Sequence, residues 1–282
     1  MCGDREIVTN IREILPIWQA CFGDSEEEIR QFLKILGEDV RTYVYREQGT
    51  AVSMVTLIPA TLYGKGQVWK AAYLYAVGTL PAYRGKGYSS RLLGQIIRDL
   101  QAQEILPFLV PSKKDLVPFY ERLGLSRRGT AYVFQGLALP CEASYIQGGY
   151  HDKASLKEIS CEEYIGLRAK YVRQPGDCRL VDSGLRYALL LWQQEGGKIG
   201  VFTRKDRQIG VLYKQVGQEL LLQEMISLGE RMAVASEEEL AGQMAGFLGA
   251  KKVQLHSCHL VMAACEETTD LPEKIFFRQA LD

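Results

Sequence analysis

Thr79-Leu80-Pro81-Ala82-Tyr83-Arg84-Gly85-Lys86-Gly87-Tyr88-Ser89-Ser90-Arg91-Leu92-Leu93 decides the reading of this chain. Upstream of it, Val68–Thr79 is rich in β-branched and aromatic residues and reads as a strand. Downstream, Leu92, Leu93, Ile96, Ile97 and Leu100 recur at the spacing of one buried helical face, so a helix is expected from Ser89 to about Gln103. A glycine loop between a strand and a helix can bind a diphosphate. Its backbone N–H groups turn toward one point without obstruction from Cβ atoms, and the helix start adds unpaired donors and the positive end of its dipole. Arg84 and Lys86 add side-chain charge.

The spacing excludes two other phosphate loops. GxxxxGK[ST] is absent, and Gly85-Lys86-Gly87 is followed by Tyr88, Ser89 and Ser90, which is not GxGxxG. A second Gly-Lys-Gly at 64–66 joins two strand-like runs with no helix behind it, and is expected to be a turn. The pattern that fits Arg84–Ser89 is RxxGxG/A.

Outward from this loop, residues 7–36 read as two helices. The second opens on the capping box Ser25-Glu26-Glu27-Glu28 and carries Ile29, Phe32, Leu33 and Leu36 on its apolar face. Thr42–Arg46 and Ala51–Ala60 flank the turn Glu47-Gln48-Gly49 as a hairpin. Ile105–Val110 reads as a buried strand, Asp115 as the cap of a short helix ending at Gly124, and Thr130–Leu137 as another strand. The polar, glycine-containing stretch Pro140–Lys153 marks a domain boundary. Beyond it a similar order recurs: helices near Cys161–Val172 and Gly184–Glu195, strands at Ile199–Thr203, Ile209–Gln215 and Glu219–Ser227, a helix Ser236–Leu248 and a strand Val253–Ser257.

In the form Arg84–Ser89 the loop closely resembles the pyrophosphate-binding motif of the GNAT superfamily of N-acetyltransferases, with Ser89 where Gly or Ala is usual. Phe119-Tyr120-Glu121-Arg122-Leu123-Gly124-Leu125 resembles the FYxxxGF element of the same superfamily, with Leu125 replacing the usual aromatic. The resemblance covers most of residues 1–137. It implies an α/β (α+β) fold with a mixed, mostly antiparallel sheet flanked by helices, in a domain spanning 1–140. A second, degenerate GNAT-like domain would span 150–282 and wall the acceptor pocket. It further implies acetyl-CoA as cosubstrate and no metal. Val77, Gly78 and Thr79 would pair with the pantetheine arm, while Arg84, Gly85, Lys86, Gly87, Tyr88, Ser89 and Ser90 would hold the pyrophosphate. Tyr120 would sit beside the coenzyme sulfur as the catalytic acid.

The implied reaction is direct attack of a small-molecule primary amine on the thioester. The base is open: Val68–Thr79 carries no carboxylate, which leaves a water chain to a backbone carbonyl, Glu224, or the terminal carboxylate of Asp282. The paired arrangement also resembles the enhanced-intracellular-survival type of acetyltransferase without its third domain. An acyl-CoA-binding sensor and an aminoacyl or longer-acyl transferase are the competing readings.

Composition agrees with a globular two-domain protein. The chain has 282 residues, 47% hydrophobic and 24% charged, against a usual domain of about 100–200 residues. Lys plus Arg and Asp plus Glu both total 34, so no overall field favours nucleic acid. Arg84, Lys86 and Arg91, with Lys113 and Lys114, form local basic patches suited to a small phosphorylated ligand. No signal peptide and no run of about 18 apolar residues is visible, so a cytoplasmic protein without membrane contact is expected. The seven cysteines contain no CxxC pair and read as reduced thiols. His256, Cys258, His259 and Cys265 match no standard zinc spacing.

Overall fold

The computed structural model describes residues 5–8, 10–140, 154–229, 234–264 and 275–277. A short strand, β1 (Arg5–Val8), precedes the two expected helices and pairs with β2. Its four residues, two charged and then two apolar, carry no alternation that would announce a strand. Helix α1 (Ile11–Phe22) starts at Asn10, whose side chain accepts from the Arg12 N–H, and stops at Gly23 in the left-handed region. Helix α2 (Glu26–Leu36) opens with the capping box as expected. The Ser25 hydroxyl accepts from Glu28 N–H, and the Glu28 carboxylate accepts from Ser25 N–H at 2.7 Å. Those bonds, the backbone one first, hold the Glu28 carboxyl below its usual pKa.

Strands β2 (Arg41–Glu47) and β3 (Thr50–Tyr63) form the hairpin, with Gln48 and Gly49 both at positive φ, as a twisted two-residue turn requires. The turn at 64–67 then leads into β4 (Val68–Thr79), antiparallel to β3. Helix α3 (Tyr88–Ala102) buries Leu92, Leu93, Ile96, Ile97 and Leu100, the face read from its periodicity. Each such side chain contributes about 1.5–3 kcal/mol on leaving water. Strand β5 (Leu106–Leu109) follows, buried throughout. Asp115 is not a helix cap. It lies inside a 3₁₀ turn, Lys114–Leu116, that runs into α4 (Val117–Glu121), and neither segment has a side-chain cap. Gly124 ends this region at φ 85°, and β6 (Ser126–Pro140) is longer than expected.

The second half comprises β7 (Ala154–Glu158), α5 (Cys161–Tyr171), β8 (Asp177–Leu180), α6 (Asp182–Gln194), β9 (Lys198–Arg204), β10 (Arg207–Val216), β11 (Glu219–Ser227), α7 (Val234–Phe247), β12 (Lys252–Ala263) and β13 (Ile275–Phe277). Strand, two helices, three antiparallel strands, helix and strand thus occur twice in one order, with β8 and β13 added. The proposed boundary falls largely on residues 141–153, outside the described residues.

The sheet is continuous across the halves. Strand β12 runs beside β11 in parallel over Lys252–Leu255. Along its whole length, from Lys252 to Ala263, its other edge lies antiparallel to β6, and at Met262–Ala263 it also pairs with Leu109 and Phe108 of β5. One strand therefore serves the second-half sheet with its beginning and completes the first-half sheet with its end. Strand β8 adds to β3 at Ala60–Leu62. The largest core accordingly mixes α1–α3 and β2–β5 with Cys178, Leu180, Tyr187 and Val261–Ala264, whereas two smaller cores lie within the second half.

Candidate functional site

The site begins with a parting of strands. β4 and β5 run parallel but pair only over Ala71–Tyr73 and Leu106–Phe108. Past Tyr73 they separate. Val55 of β3 there faces two residues, Ala76 and Val77, between the pairs Thr56–Tyr75 and Met54–Gly78, and Ala76 takes φ 49°. This bulge re-aims β4 at the point where its β5-facing edge loses its partner. A cleft of about 1090 Å3 opens there. Its floor is β4 from Tyr73 to Thr79, one end is the glycine loop and the start of α3, and the far wall runs from Val110 to Tyr120.

The loop end is shaped for an anion. A 3₁₀ turn, Pro81–Tyr83, brings the chain to Arg84, whose Nε donates to the Thr79 carbonyl at 3.1 Å. Gly85 and Gly87 then take φ 77° and 79°. A Cβ at either would meet nothing within 4 Å, so the glycines are required by backbone conformation, and the space above them is open to a ligand. Gly87 is the N-cap of α3 and supplies no side-chain acceptor. The first N–H groups of a helix have no intrahelical partner, so those of Tyr88, Ser89 and Ser90 are left to whatever occupies the cleft.

Of the residues singled out from the sequence, Val77, Gly78, Thr79, Arg84, Gly85, Gly87, Tyr88, Ser89, Ser90 and Tyr120 all line this cleft. Lys86 does not; its ammonium lies 5.0 Å over the ring of Tyr83. Gly78 has a second reason to be glycine. A Cβ there would stand 3.0 Å from Cys21 Sγ and 3.3 Å from Phe22, so its absence lets the end of α1 close over β4. The Thr79 hydroxyl is held 2.9 Å from that of Ser53. Tyr120 is 6% exposed, and burial pushes its phenol up to about 12. Tyr73 stacks on Phe108 at 5.3 Å and Tyr75 on Phe32 at 5.4 Å, so both serve packing beneath the cleft as well as its surface.

Glu224 is not available to this cleft. It is 3% exposed within the second half, where it is ion-paired to Arg168 and accepts from the Tyr164 hydroxyl at 2.9 Å. Burial, the largest influence, works against the charge of Arg168, but Glu224, Tyr164 and Asp177 together outweigh it and hold the guanidinium protonated. Asp282 and the side chains of His256, Cys258, His259 and Cys265 lie outside the described residues. Among the described residues, no group of three metal-ligating side chains occurs.

The sequence reading missed Asp24, which sits in the short connection between α1 and α2 and is the one carboxylate lining the cleft among the described residues. The left-handed glycine at 23 and the capping box from Ser25 fix that connection on both sides. That punctuation was the signal: an acidic residue pinned between two helix ends.

Residues 8–127 match the family model described as "Acetyltransferase (GNAT) domain". No curated protein matches the chain in sequence. Among solved structures, a conserved protein of unknown function from Enterococcus faecalis V583, described as a probable N-acyltransferase, superposes with a TM-score of 0.72 at 15% identity, covering 93% of this chain and 72% of that one. Eis1 from Mycobacterium abscessus superposes with a TM-score of 0.66 at 15% identity over 90% of this chain and 65% of its own. A GCN5-related N-acetyltransferase from Anabaena variabilis gives 0.64 at 16% identity, over 92% and 72%. At such identities the likeness concerns the fold.

Proposed function

We propose, on the match of residues 8–127 to a GNAT acetyltransferase domain, that the protein transfers an acetyl group from acetyl-CoA to the primary amine of a small molecule. The observation that carries this reading is the opening of the uncapped start of α3 and the bulged, unpaired edge of β4 onto one cleft. The first suits a pyrophosphate, and the second suits the amide groups of a pantetheine arm lying along a strand.

In this reading the neutral amine attacks the thioester carbonyl. A C–N bond forms, the C–S bond breaks, the amine gives up a proton to solvent along a water chain that a backbone carbonyl orients, and the thiolate is protonated. Tyr120 faces the cleft and is the donor. With its phenol near 12, its proton is tightly held, but a thiolate in the same dry environment is also a stronger base than in water, since burial raises both acids. The second half, through β8, β12 and α6, buttresses the first, and none of its described residues lines the cleft. A cytoplasmic location accompanies this reading, because that is where the chain would meet acetyl-CoA. Among the described residues, no helix is long and apolar enough to cross a membrane.

Calorimetric titration of acetyl-CoA into the protein and into an Arg84→Ala/Gly87→Glu variant tests the reading. At Gly87 a side chain would have to adopt φ 79°, and a carboxylate would confront the helix start. Affinity is expected to fall by about 100-fold or more, the equivalent of about 2.7 kcal/mol. Thiol release over an amine panel then separates a transferase from a protein that only senses the ligand. Absence of binding to the wild-type chain refutes the assignment.

A further inference from the structure

At the corner of the cleft where α1 ends, a carboxylate stands among aromatic side chains. Trp18 Nε1 donates to Asp24 Oδ2 at 2.7 Å, and Trp18 is 2% exposed, so a buried indole fixes the orientation of the carboxylate. Asp24 Oδ1 has no hydrogen-bond partner among the described residues. The flanking surface is aromatic. Phe22 meets Trp18 edge-on with ring centroids 6.4 Å apart, Tyr75 meets it at 6.1 Å, and all three rings belong to cleft-lining residues. Phe22 is 44% exposed, so part of its ring faces outward beside the cleft. Tyr187 of α6 is buried nearby. Its phenol is pushed up to about 12, first by burial and then by the carboxylates of Asp24 and Glu28, so the negative potential of this corner reaches the second half.

The charge count around the cleft is the deciding feature. Asp24 is its one acidic lining residue among those described, against Arg84 and Lys113. A polyamine or aminoglycoside would seat one ammonium on Asp24 and bring the others against an apolar wall with no second carboxylate among the described lining residues, where an unpaired charge is costly. A monoamine with a flat apolar body meets no such penalty. Its ammonium satisfies Oδ1, and its body covers aromatic surface that attracts cations and rings alike.

Resting on the acetyl-transfer reading above, we infer that the acceptor is a monoamine bearing an aromatic body, anchored through its ammonium on Asp24 and seated against Phe22 and Tyr75. Asp24 acts in binding. The proton lost before attack passes to water.

The test uses the full chain at saturating acetyl-CoA, with thiol release measured for 2-phenylethylamine and spermidine in the wild type and in Asp24→Asn. The asparagine keeps an oxygen for the Trp18 N–H, and Asp24→Glu, which keeps the charge, is the companion variant. The expected kcat/KM for 2-phenylethylamine exceeds that for spermidine by about tenfold or more. Asp24→Asn raises the KM for 2-phenylethylamine by about 10- to 100-fold, the range of a lost charged hydrogen bond. Its kcat and acetyl-CoA affinity stay near wild type, and Asp24→Glu recovers part of the KM. A preference for spermidine, an unmoved KM in Asp24→Asn, or bound acetyl-CoA with turnover of neither amine overturns the inference. Failure of wild-type protein to bind acetyl-CoA instead brings down the transferase reading beneath it.

Discussion

The same strand geometry occurs in both halves and is put to opposite uses. In the first half, β4 bulges at Ala76–Val77 and parts from β5, and the first residue paired beyond the bulge is Gly78. In the second, β11 leaves its parallel run with β12 after Leu222 and bulges at Gln223, and the first residue paired beyond it is Glu224. A helix closes over each position. Over Gly78 it is the end of α1, whose Cys21 and Phe22 come close because no Cβ intervenes. Over Glu224 it is α5, whose Arg168 and Tyr164 grip the carboxylate. One half keeps its parted strands as a lined cleft with a glycine loop beyond. The other ties the matching point with a buried ion pair, and Ser227-Leu228-Gly229 follows where the first half has Arg84–Ser89. Strand parting occurs in both halves; beside the bulge the first has a glycine under a closely packed helix end and the second a carboxylate bound to Arg168.

The largest effect that would break this comparison concerns the buried ion pair. Arg168 and Glu224 each have side chains 1% exposed, and Arg168 Nε has no hydrogen-bond partner in its buried setting. Glu224→Leu strands a buried guanidinium and is expected to cost about 3–5 kcal/mol in urea unfolding, whereas the double change Arg168→Met/Glu224→Leu recovers most of it. Acetyl-CoA affinity of the folded double variant should match the wild type. A loss of affinity without loss of stability would mean that Glu224 serves the ligand site, and the contrast between the halves would fail.

Next in size is the effect at Tyr120. Tyr120→Phe is expected to lower kcat about 100-fold, the lower range for loss of a general acid, with acetyl-CoA affinity unchanged. Its buried phenol also makes a thermodynamic prediction. The folded value is about 12 against an ordinary 10, so between those pH values the unfolded chain sheds a proton that the folded chain keeps. Stability attributable to Tyr120 is therefore fully present below pH 10 and lost as pH rises toward 12, by about 2–3 kcal/mol. Unfolding of wild type and Tyr120→Phe from pH 9 to 12 measures it, and the variant should show a shallower alkaline decline.

How much of this was legible in the sequence follows from the range of the interactions. The capping box at Ser25–Glu28, the turn at Gln48-Gly49 and the loop Arg84–Ser89 are each settled within a few residues of chain, and each was read correctly as a local feature. The anchoring of β12 between β5 and β6, the addition of β8 to β3, and the pairing of β13 with β6 and β8 depend on partners about a hundred residues or more away. Nothing in Asp177–Leu180 or Ile275–Phe277 states which strand it will join. Glu224 was a plausible base in a strand read alone and became a buried ion-pair partner only once α5 lay over it. Asp24 was overlooked for the converse reason: its significance comes from an indole six residues earlier and a cleft floor fifty residues later.

The smallest effect separates two reasons for one glycine. If Gly78 is glycine because α1 packs closely, Gly78→Ala places a methyl group 3.0 Å from Cys21 Sγ and 3.2 Å from Cys21 Cβ. The helix end must shift by a few tenths of an ångström, at a cost of about 1 kcal/mol, near the low end for overpacking. Cys21→Ala removes the nearer of these atoms, so the double variant should be more stable than the two separate costs imply, a coupling that unfolding measurements on the four proteins would reveal. Acetyl-CoA affinity should change little, because the added methyl points to the helix. Were affinity to fall tenfold with stability intact, Gly78 would belong to the ligand, and its correspondence with Glu224 would be one of position alone.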